Sequence, residues 1–254
     1  NVPVPVLIDM SEDDSTFNAP FMLMRELKGE AANPFTPNSY SPYEHDIGIQ
    51  FWSILGEITK KKIDSEIFKT FAADLDQPFW KTELDKWVKV IEEDSIGVEP
   101  ILEAGIRYLY KYPPKESKNV CMVHGDYRSG NFLYSKNKIT GILDWEMAHL
   151  GDPLEDLGWA LSPIWSWQDR DRPAYLIPRD EALEVWENSS NCKVDQKDLE
   201  WWELFAAIKG MAIWISAGNE FKSGKNIDPI NLFSAWIPGD IHLEVILNTL
   251  ESKI

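Results

Sequence analysis

The sequence is poor in cysteine: its 254 residues hold two, Cys121 and Cys192, one in an apolar run and the other after Ser189-Ser190-Asn191. That excludes a disulfide framework and a zinc site built on paired thiolates. No apolar run approaches the ~18 residues that a membrane helix needs, and the N-terminus lacks the basic-then-apolar order of a secretory leader. Neither a membrane span nor secretion is expected, and the cytoplasm is the expected compartment. Positive charge is scarce, because 25 Lys and Arg face 42 Asp and Glu, a formal charge of -17. Such a surface repels nucleic acid and anionic membranes, so neither is expected as a partner. Internal repeats and low-complexity segments are missing too.

With 44% hydrophobic residues the chain can bury a sizeable core, as one large domain or as a small part beside a larger one. Its most informative stretch runs from Asn119 to Trp159, NVCMVHGDYRSGNFLYSKNKITGILDWEMAHLGDPLEDLGW. Val120 to Val123 is apolar and leads into His124, Asp126 and Asn131. Phe132 to Tyr134 and Ile139 to Leu143 flank the polar connection Ser135-Lys136-Asn137-Lys138, of the length that closes a hairpin. Antiparallel pairing around it puts Asn131 near Ile142, and so Asp144 about two strand residues away, roughly 7 Å. An amide oxygen and a carboxylate that share one small space suit a hard divalent cation, whose remaining positions go to water and phosphate. Asp126, on the preceding loop, is placed to take a proton from an attacking hydroxyl. Together these residues have the layout of a phosphoryl-transfer site, although single Asp and Asn residues near turns more often bond the local backbone.

The order His124-x-Asp126-x-x-x-x-Asn131, followed by Asp144, has the spacing of the kinase catalytic loop and its downstream metal aspartate. Gly125 stands where protein kinases carry Arg, Asp144-Trp145-Glu146 replaces D-F-G, and no A-P-E follows. His124-Gly125-Asp126, Leu143-Asp144-Trp145-Glu146 and GDPLEDLGW instead resemble the aminoglycoside phosphotransferase and choline kinase superfamily. The nearest resemblance is to the phosphotransferase-like domains related to those fused to certain acyl-CoA dehydrogenases. It implies an α+β, protein-kinase-like fold: the remnant of a β-rich N-lobe, and a mainly helical C-lobe that carries a catalytic β-hairpin. By the same resemblance Asp126 is the catalytic base, Asn131 and Asp144 bind Mg2+, and ATP is the phosphate donor. His124 braces the loop, while Asp152 and Asp156 hold its backbone or cap the helix that starts near Pro153.

Upstream, Asn1 to Asp9 reads as an edge strand limited by its prolines, Ser11 to Ser15 as an acidic turn, and Phe21 to Met24 as a second strand. In the resembled family these are the last N-lobe strands, followed by the hinge that holds adenine. Met24, Arg25, Glu26 and Leu27 are therefore the nucleotide-binding candidates, and the expected division is residues 1–28 against 29–254. No glycine-rich phosphate loop occurs before residue 29, nor the Lys that such a lobe carries. The expectations are a piece of a longer parent or, alternatively, a catalytically inactive relative that binds without transferring.

After the proline-spotted linker from Asn33 to Pro42, helical spacing recurs in Ile47, Phe51, Ile54, Leu55 and Ile58. It recurs again in Trp80, Leu84, Trp87, Val88 and Ile91, and in Leu102, Ile106, Leu109 and Tyr110, where Pro113-Pro114 stops the helix. A further helix covers Leu154 to Leu161. The remainder, from Arg179 to Ile254, reads as helices broken near Ser189 to Asn191, Gly218 to Asn226 and Pro238-Gly239. The loop from Pro163 to Pro173, aromatic and charged together, either lines an acceptor pocket or is a surface loop anchored by Trp. Lys209 falls on a largely apolar helix, where a buried ammonium needs an anion: an internal carboxylate or a substrate group. Arg128, Lys209 and the loop are candidates to receive an anionic acceptor, and Glu146 is a candidate for acceptor contact or for support of the metal. The acceptor is expected to be a small-molecule hydroxyl, with hydroxy acids or hydroxyacyl-CoA esters ranked ahead of aminoglycosides.

Overall fold

The computed structural model describes residues 2–253 except 13–17, 34–35, 65, 67, 69–76, 96 and 118. Most of the expected acidic turn and two positions of the proline-spotted linker lie outside the described residues.

The hairpin forms as its alternating pattern demands. Strands β5 (Phe132–Ser135) and β6 (Lys138–Ile142) pair antiparallel, with Phe132 opposite Ile142. The connection tightens to the two residues Lys136 and Asn137, Lys136 taking a φ of +55°. Two-residue hairpin turns need left-handed backbone, and here Lys136 adopts it as a single residue. Strand β3 (Glu30–Ala31) adds to the other edge of β5, giving the order β3-β5-β6. A second pair joins β4 (Cys121–Val123) to β7 (His149–Gly151), with Val123 opposite His149. The two strand pairs thus bring both ends of the central stretch to one place.

Strands β1 (Leu7–Ser11) and β2 (Phe21–Met24) form a separate two-stranded sheet. The first strand is shorter than expected, since Pro3 and Pro5 have no amide to give to a ladder. Residues before Leu7 run beside the hairpin instead, and the Ile142 amide donates to the Pro3 carbonyl at 2.8 Å.

Helix α1 (Glu44–Lys60) lies under the hairpin, burying Ile47, Phe51, Trp52, Leu55 and Ile58. The Phe51 ring centroid is 5.3 Å from that of Phe132 and 4.6 Å from that of Tyr127. Burial of aromatic and aliphatic side chains such as these stabilises by about 1.5–3 kcal/mol each. A second core gathers α2 (Phe79–Asp94), α3 (Pro100–Lys111) and α6 (Gln196–Ser223) around Leu84, Trp87, Leu109, Trp202, Phe205 and Ile208. Between them, α4 (Pro153–Ala160) follows β7, and α5 (Arg179–Ser190) ends at Asn191, whose φ of +60° closes the helix as a C-cap.

One of the expected helix breaks is absent. The break expected from Gly218 to Asn226 is present, falling after the C-cap of α6 at Gly224, but α7 (Pro229–Glu251) runs through Pro238 and Gly239. Packing outweighs local preference here. A Cβ on Gly218 would come within 2.8 Å of the Ala235 Cβ, and the His242 ring fills the space over Gly210. The glycines let α6 and α7 approach closely, and their contact offsets the amide bond that Pro238 cannot make. Among the described residues no helix is long and apolar enough to cross a membrane.

Candidate active site

After β4 the chain must turn sharply to bring Asp126 back toward the hairpin. Gly125 makes the turn with a φ of +84°, and a Cβ there would sit 2.5 Å from the Met147 carbonyl oxygen. Only glycine meets both demands. The turn leaves two amides without strand partners, and Asp156 takes both: His124 N donates to Oδ2 at 2.6 Å and Gly125 N to Oδ1 at 2.9 Å. Burial raises the pKa of the Asp156 carboxyl, against the lowering pull of His124 and of these amide bonds.

The buried His124 ring ties the turn to the second strand. Its Nδ1 accepts from the Asp126 amide at 3.2 Å, which puts the proton on Nε2, and Nε2 donates to the Leu143 carbonyl at 2.8 Å. One imidazole thereby links the peptide of Asp126 to the residue before Asp144. Tyr127, also buried, anchors the loop from the other side through its hydroxyl to the Phe51 carbonyl at 2.7 Å. Asp156→Ala strands two buried amides, so it is expected to lower the unfolding free energy by about 3 kcal/mol, read in urea melts.

The Asp126 carboxylate is held from three directions. Arg128 Nε lies 3.0 Å from each oxygen, Asn131 Nδ2 donates to Oδ2 at 2.6 Å, and Trp159 Nε1 donates to Oδ1 at 2.8 Å. Asn131 Nδ2 also reaches the Asp126 carbonyl at 2.9 Å, so its Oδ1 faces away from the base. Backbone pairing brings Asn131 to the strand end, the Leu143 amide donating to the Asn131 carbonyl at 2.9 Å, one residue before Asp144.

Asp144 differs from its neighbours. It takes left-handed backbone, φ +67° and ψ +54°, at the entry to a single 3-10 turn, Trp145–Met147. Its side chain is exposed and, among the described residues, makes no hydrogen bond or ion pair. Left-handed backbone at a non-glycine residue is held in place by its surroundings rather than chosen locally. Glu146, two positions on, is exposed as well.

The other expected residues are placed as follows. Asp152 caps α4 by accepting from the Leu154 amide at 2.8 Å, and burial raises its pKa to about 7. Met24, Arg25 and Glu26 are exposed where β2 ends, and Leu27 is half-buried against Gly141 of β6. The Arg25 amide is already engaged with the Val6 carbonyl at 2.9 Å. Lys209 is 1% exposed and donates to the Gly125 carbonyl at 2.5 Å, with Glu155 at 3.6 Å, so the anion it meets is internal. In the loop after α4, Trp165 is buried with the Arg128 guanidinium 4.8 Å from its ring centroid. The loop's cations are paired, Arg170 with Glu244 and Arg172 with Asp169.

Four residues were not singled out by sequence: Trp159, Glu155, His149 and Glu83. Trp159 lies one helical turn after Asp156, in the same GDPLEDLGW segment, which was the available signal. His149 Nδ1 bonds the Met147 carbonyl at 2.9 Å, while Nε2 lies 3.1 Å from Glu155 and 3.6 Å from Glu83. These three residues bring ligand-type atoms within 4.8 Å of one another, but the ammonium of Lys209 already supplies a cation beside Glu155. Burial alone would lower the His149 pKa; Glu155, then Glu83, outweigh it and hold the ring protonated up to about 9. A folded-state pKa above the unfolded value of ~6.5 means stability that is full below that pH and lost as pH rises through about 9. His149→Gln is therefore expected to be most destabilised relative to the native protein near pH 6, the gap closing toward pH 10. Thermal melts across that range give the comparison.

The model of the phosphotransferase enzyme family matches residues 1–191. Acyl-CoA dehydrogenase family member 10 of Mus musculus is 26% identical over 162 residues, 63% of this chain and 15% of that protein. The chain thus spans less than a fifth of that relative's length. Among solved structures, a protein assigned as an aminoglycoside phosphotransferase from Ralstonia eutropha superposes with a TM-score of 0.80 at 18% identity, covering 99% of this chain and 79% of the other. The GDP complex of aminoglycoside 2'-phosphotransferase-IIIa gives 0.60 at 14% identity, over 100% and 77%. The α+β, protein-kinase-like fold is therefore that of small-molecule kinases, and the chain belongs to the phosphotransferase enzyme family.

Proposed function

We propose that the protein transfers a phosphoryl group from ATP to a hydroxyl of a small molecule, with Asp126 as base. The observation that carries this reading is the contrast between two neighbouring carboxylates. Asp126 is fixed by Arg128, Asn131 and Trp159, as a group that must meet a hydroxyl in one orientation, whereas Asp144 is exposed and, among the described residues, unpartnered at the end of the adjoining strand. The acceptor hydroxyl donates to Asp126; as its oxygen bonds to the terminal phosphorus, the bond to the bridging oxygen breaks, ADP leaves and Asp126 keeps the proton. Positioning supplies most of the acceleration in such a reaction.

Asn131 and Asp144 fit Mg2+: both offer oxygen, Asn131 Oδ1 is turned away from the base, and the Asp144 carboxylate is exposed. When bound, the ion neutralises phosphate charge. His124 keeps the Asp126 peptide and the Leu143 carbonyl in register, and Met24 to Leu27, at the end of β2 and just after it, are where the adenine would be held. Residues 1–28 would be the end of the nucleotide-holding lobe and 29–254 the acceptor-side lobe, in the cytoplasm.

For the acceptor, a hydroxy acid or hydroxyacyl-CoA ester is favoured over an aminoglycoside. The charge beside the base is the Arg128 guanidinium, which attracts an anion and repels a polycation, and the matched relative belongs to an acyl-CoA dehydrogenase family. Glu146 faces solvent two residues from Asp144 and would contact acceptor or metal-bound water. The full-length protein with MgATP and a panel of hydroxyacyl-CoAs, hydroxy acids, amino alcohols, sugars and aminoglycosides should yield a phosphate monoester from one class, seen by mass spectrometry. Nucleotide binding without any acceptor-dependent ADP would instead support a binding protein that keeps the kinase shape.

A further inference from the structure

We propose that Lys209 is a positioning residue for the base, an ammonium on α6 that clamps the Gly125 carbonyl and so fixes the peptide from which Asp126 projects. This rests on the role given to Asp126 above.

Lys209 comes from a helix 84 residues further along the chain and reaches the turn with its side chain fully enclosed. Its ammonium lies 5.5 Å from the Trp87 ring centroid and 5.0 Å from that of Trp159. Its bond to the Gly125 carbonyl, at 2.5 Å, is its one hydrogen bond among the described residues. Among the described residues the nearest carboxylate oxygen is Glu155 Oε1 at 3.6 Å, which is buried and has no hydrogen-bond partner there. Stability alone is a poor reason for this arrangement. Enclosing two opposite charges at 3.6 Å recovers little more than their desolvation costs, and apolar side chains of similar size often stabilise as well.

What an apolar pair cannot supply is a hold on the loop. The Gly125 carbonyl and the Asp126 amide belong to one planar peptide unit. Fixing the oxygen with Lys209 fixes the amide that donates to His124 Nδ1. A second route runs through Trp159, whose ring faces the ammonium and whose Nε1 donates to Asp126 Oδ1 at 2.8 Å. Glu155 supplies the counter-charge and is itself held by His149, which Glu83 of α2 also approaches. The base is thus braced by Lys209 through both its peptide and its carboxylate.

The test separates neutralising Glu155 from positioning Asp126. In the full-length protein, Lys209→Met should lose both stability and turnover, because it leaves Glu155 buried without its counter-charge. The double variant Lys209→Met with Glu155→Gln should regain most of the melting temperature, yet keep kcat down by about 100-fold with the KM for ATP unchanged, as expected of a misplaced base. Hydrogen exchange of the segment from Val123 to Asn131 should also be faster in that double variant than in the native protein, whether or not an acceptor has been found. Recovery of kcat together with stability, or native exchange protection of the segment in the double variant, would overturn the proposal. Absence of turnover in the native protein would count against the base assignment, and the exchange measurement would still decide the clamp.

Discussion

Replacing Asp126 with asparagine is expected to lower the rate of phosphoryl transfer by about 1,000-fold, within the range lost when a general base is removed. Asparagine keeps the size of the side chain and one acceptor oxygen. It cannot take a proton from the hydroxyl, and its amide nitrogen must face one of three donors: Arg128 Nε, Asn131 Nδ2 or Trp159 Nε1. That donor-to-donor contact is expected to cost about 1–2 kcal/mol of stability, too little to unfold the protein. The KM for ATP should change little, since the role proposed for the carboxylate is toward the acceptor and not the nucleotide. Steady-state assays with a melting curve alongside give both quantities, and turnover at the native rate would remove Asp126 from the base role.

Asp144→Asn should act on the nucleotide and not on the chemistry of the hydroxyl. Asparagine tolerates left-handed backbone as well as aspartate does, so the φ of +67° is retained. Because the side chain has no partner among the described residues, melting temperature should stay at the native value. Mg2+-dependent ATP binding should weaken by at least about 100-fold, the upper end of what loss of a residue merely supporting a metal ligand costs. Calorimetric titration with and without Mg2+ isolates that increment. Equal Mg2+ dependence in the native protein and the variant would put the ion elsewhere.

The parts of this site that could be read in sequence are those separated by little chain. Asn131 and Asp144 sit at the two ends of one hairpin, whose alternating strands and polar turn fix their distance almost regardless of the rest of the molecule. Sequence leaves Asp152 and Asp156 each able to cap a helix or hold the loop; the structure divides them, Asp152 to the cap and Asp156 to the His124 and Gly125 amides. Contacts across long separations leave no such trace. Trp159 meets Asp126 from 33 residues away and Lys209 meets Gly125 from 84, and both depend on how α4 and α6 pack rather than on any local pattern. The same limit explains Pro238, which looks like a helix break until the close contact of α6 with α7 is known. The shortened first strand, in contrast, follows from Pro3 and Pro5 themselves, which have no amide to give to a ladder.

The most direct test of phosphoryl transfer at this hairpin is a paired measurement on the full-length protein: ADP released and phosphate monoester formed in the same reaction, for the native protein and for Asp126→Asn. Equal amounts of both products from the native protein and neither from the variant is the predicted result. ADP without monoester, or monoester formed equally well by the variant, would contradict it.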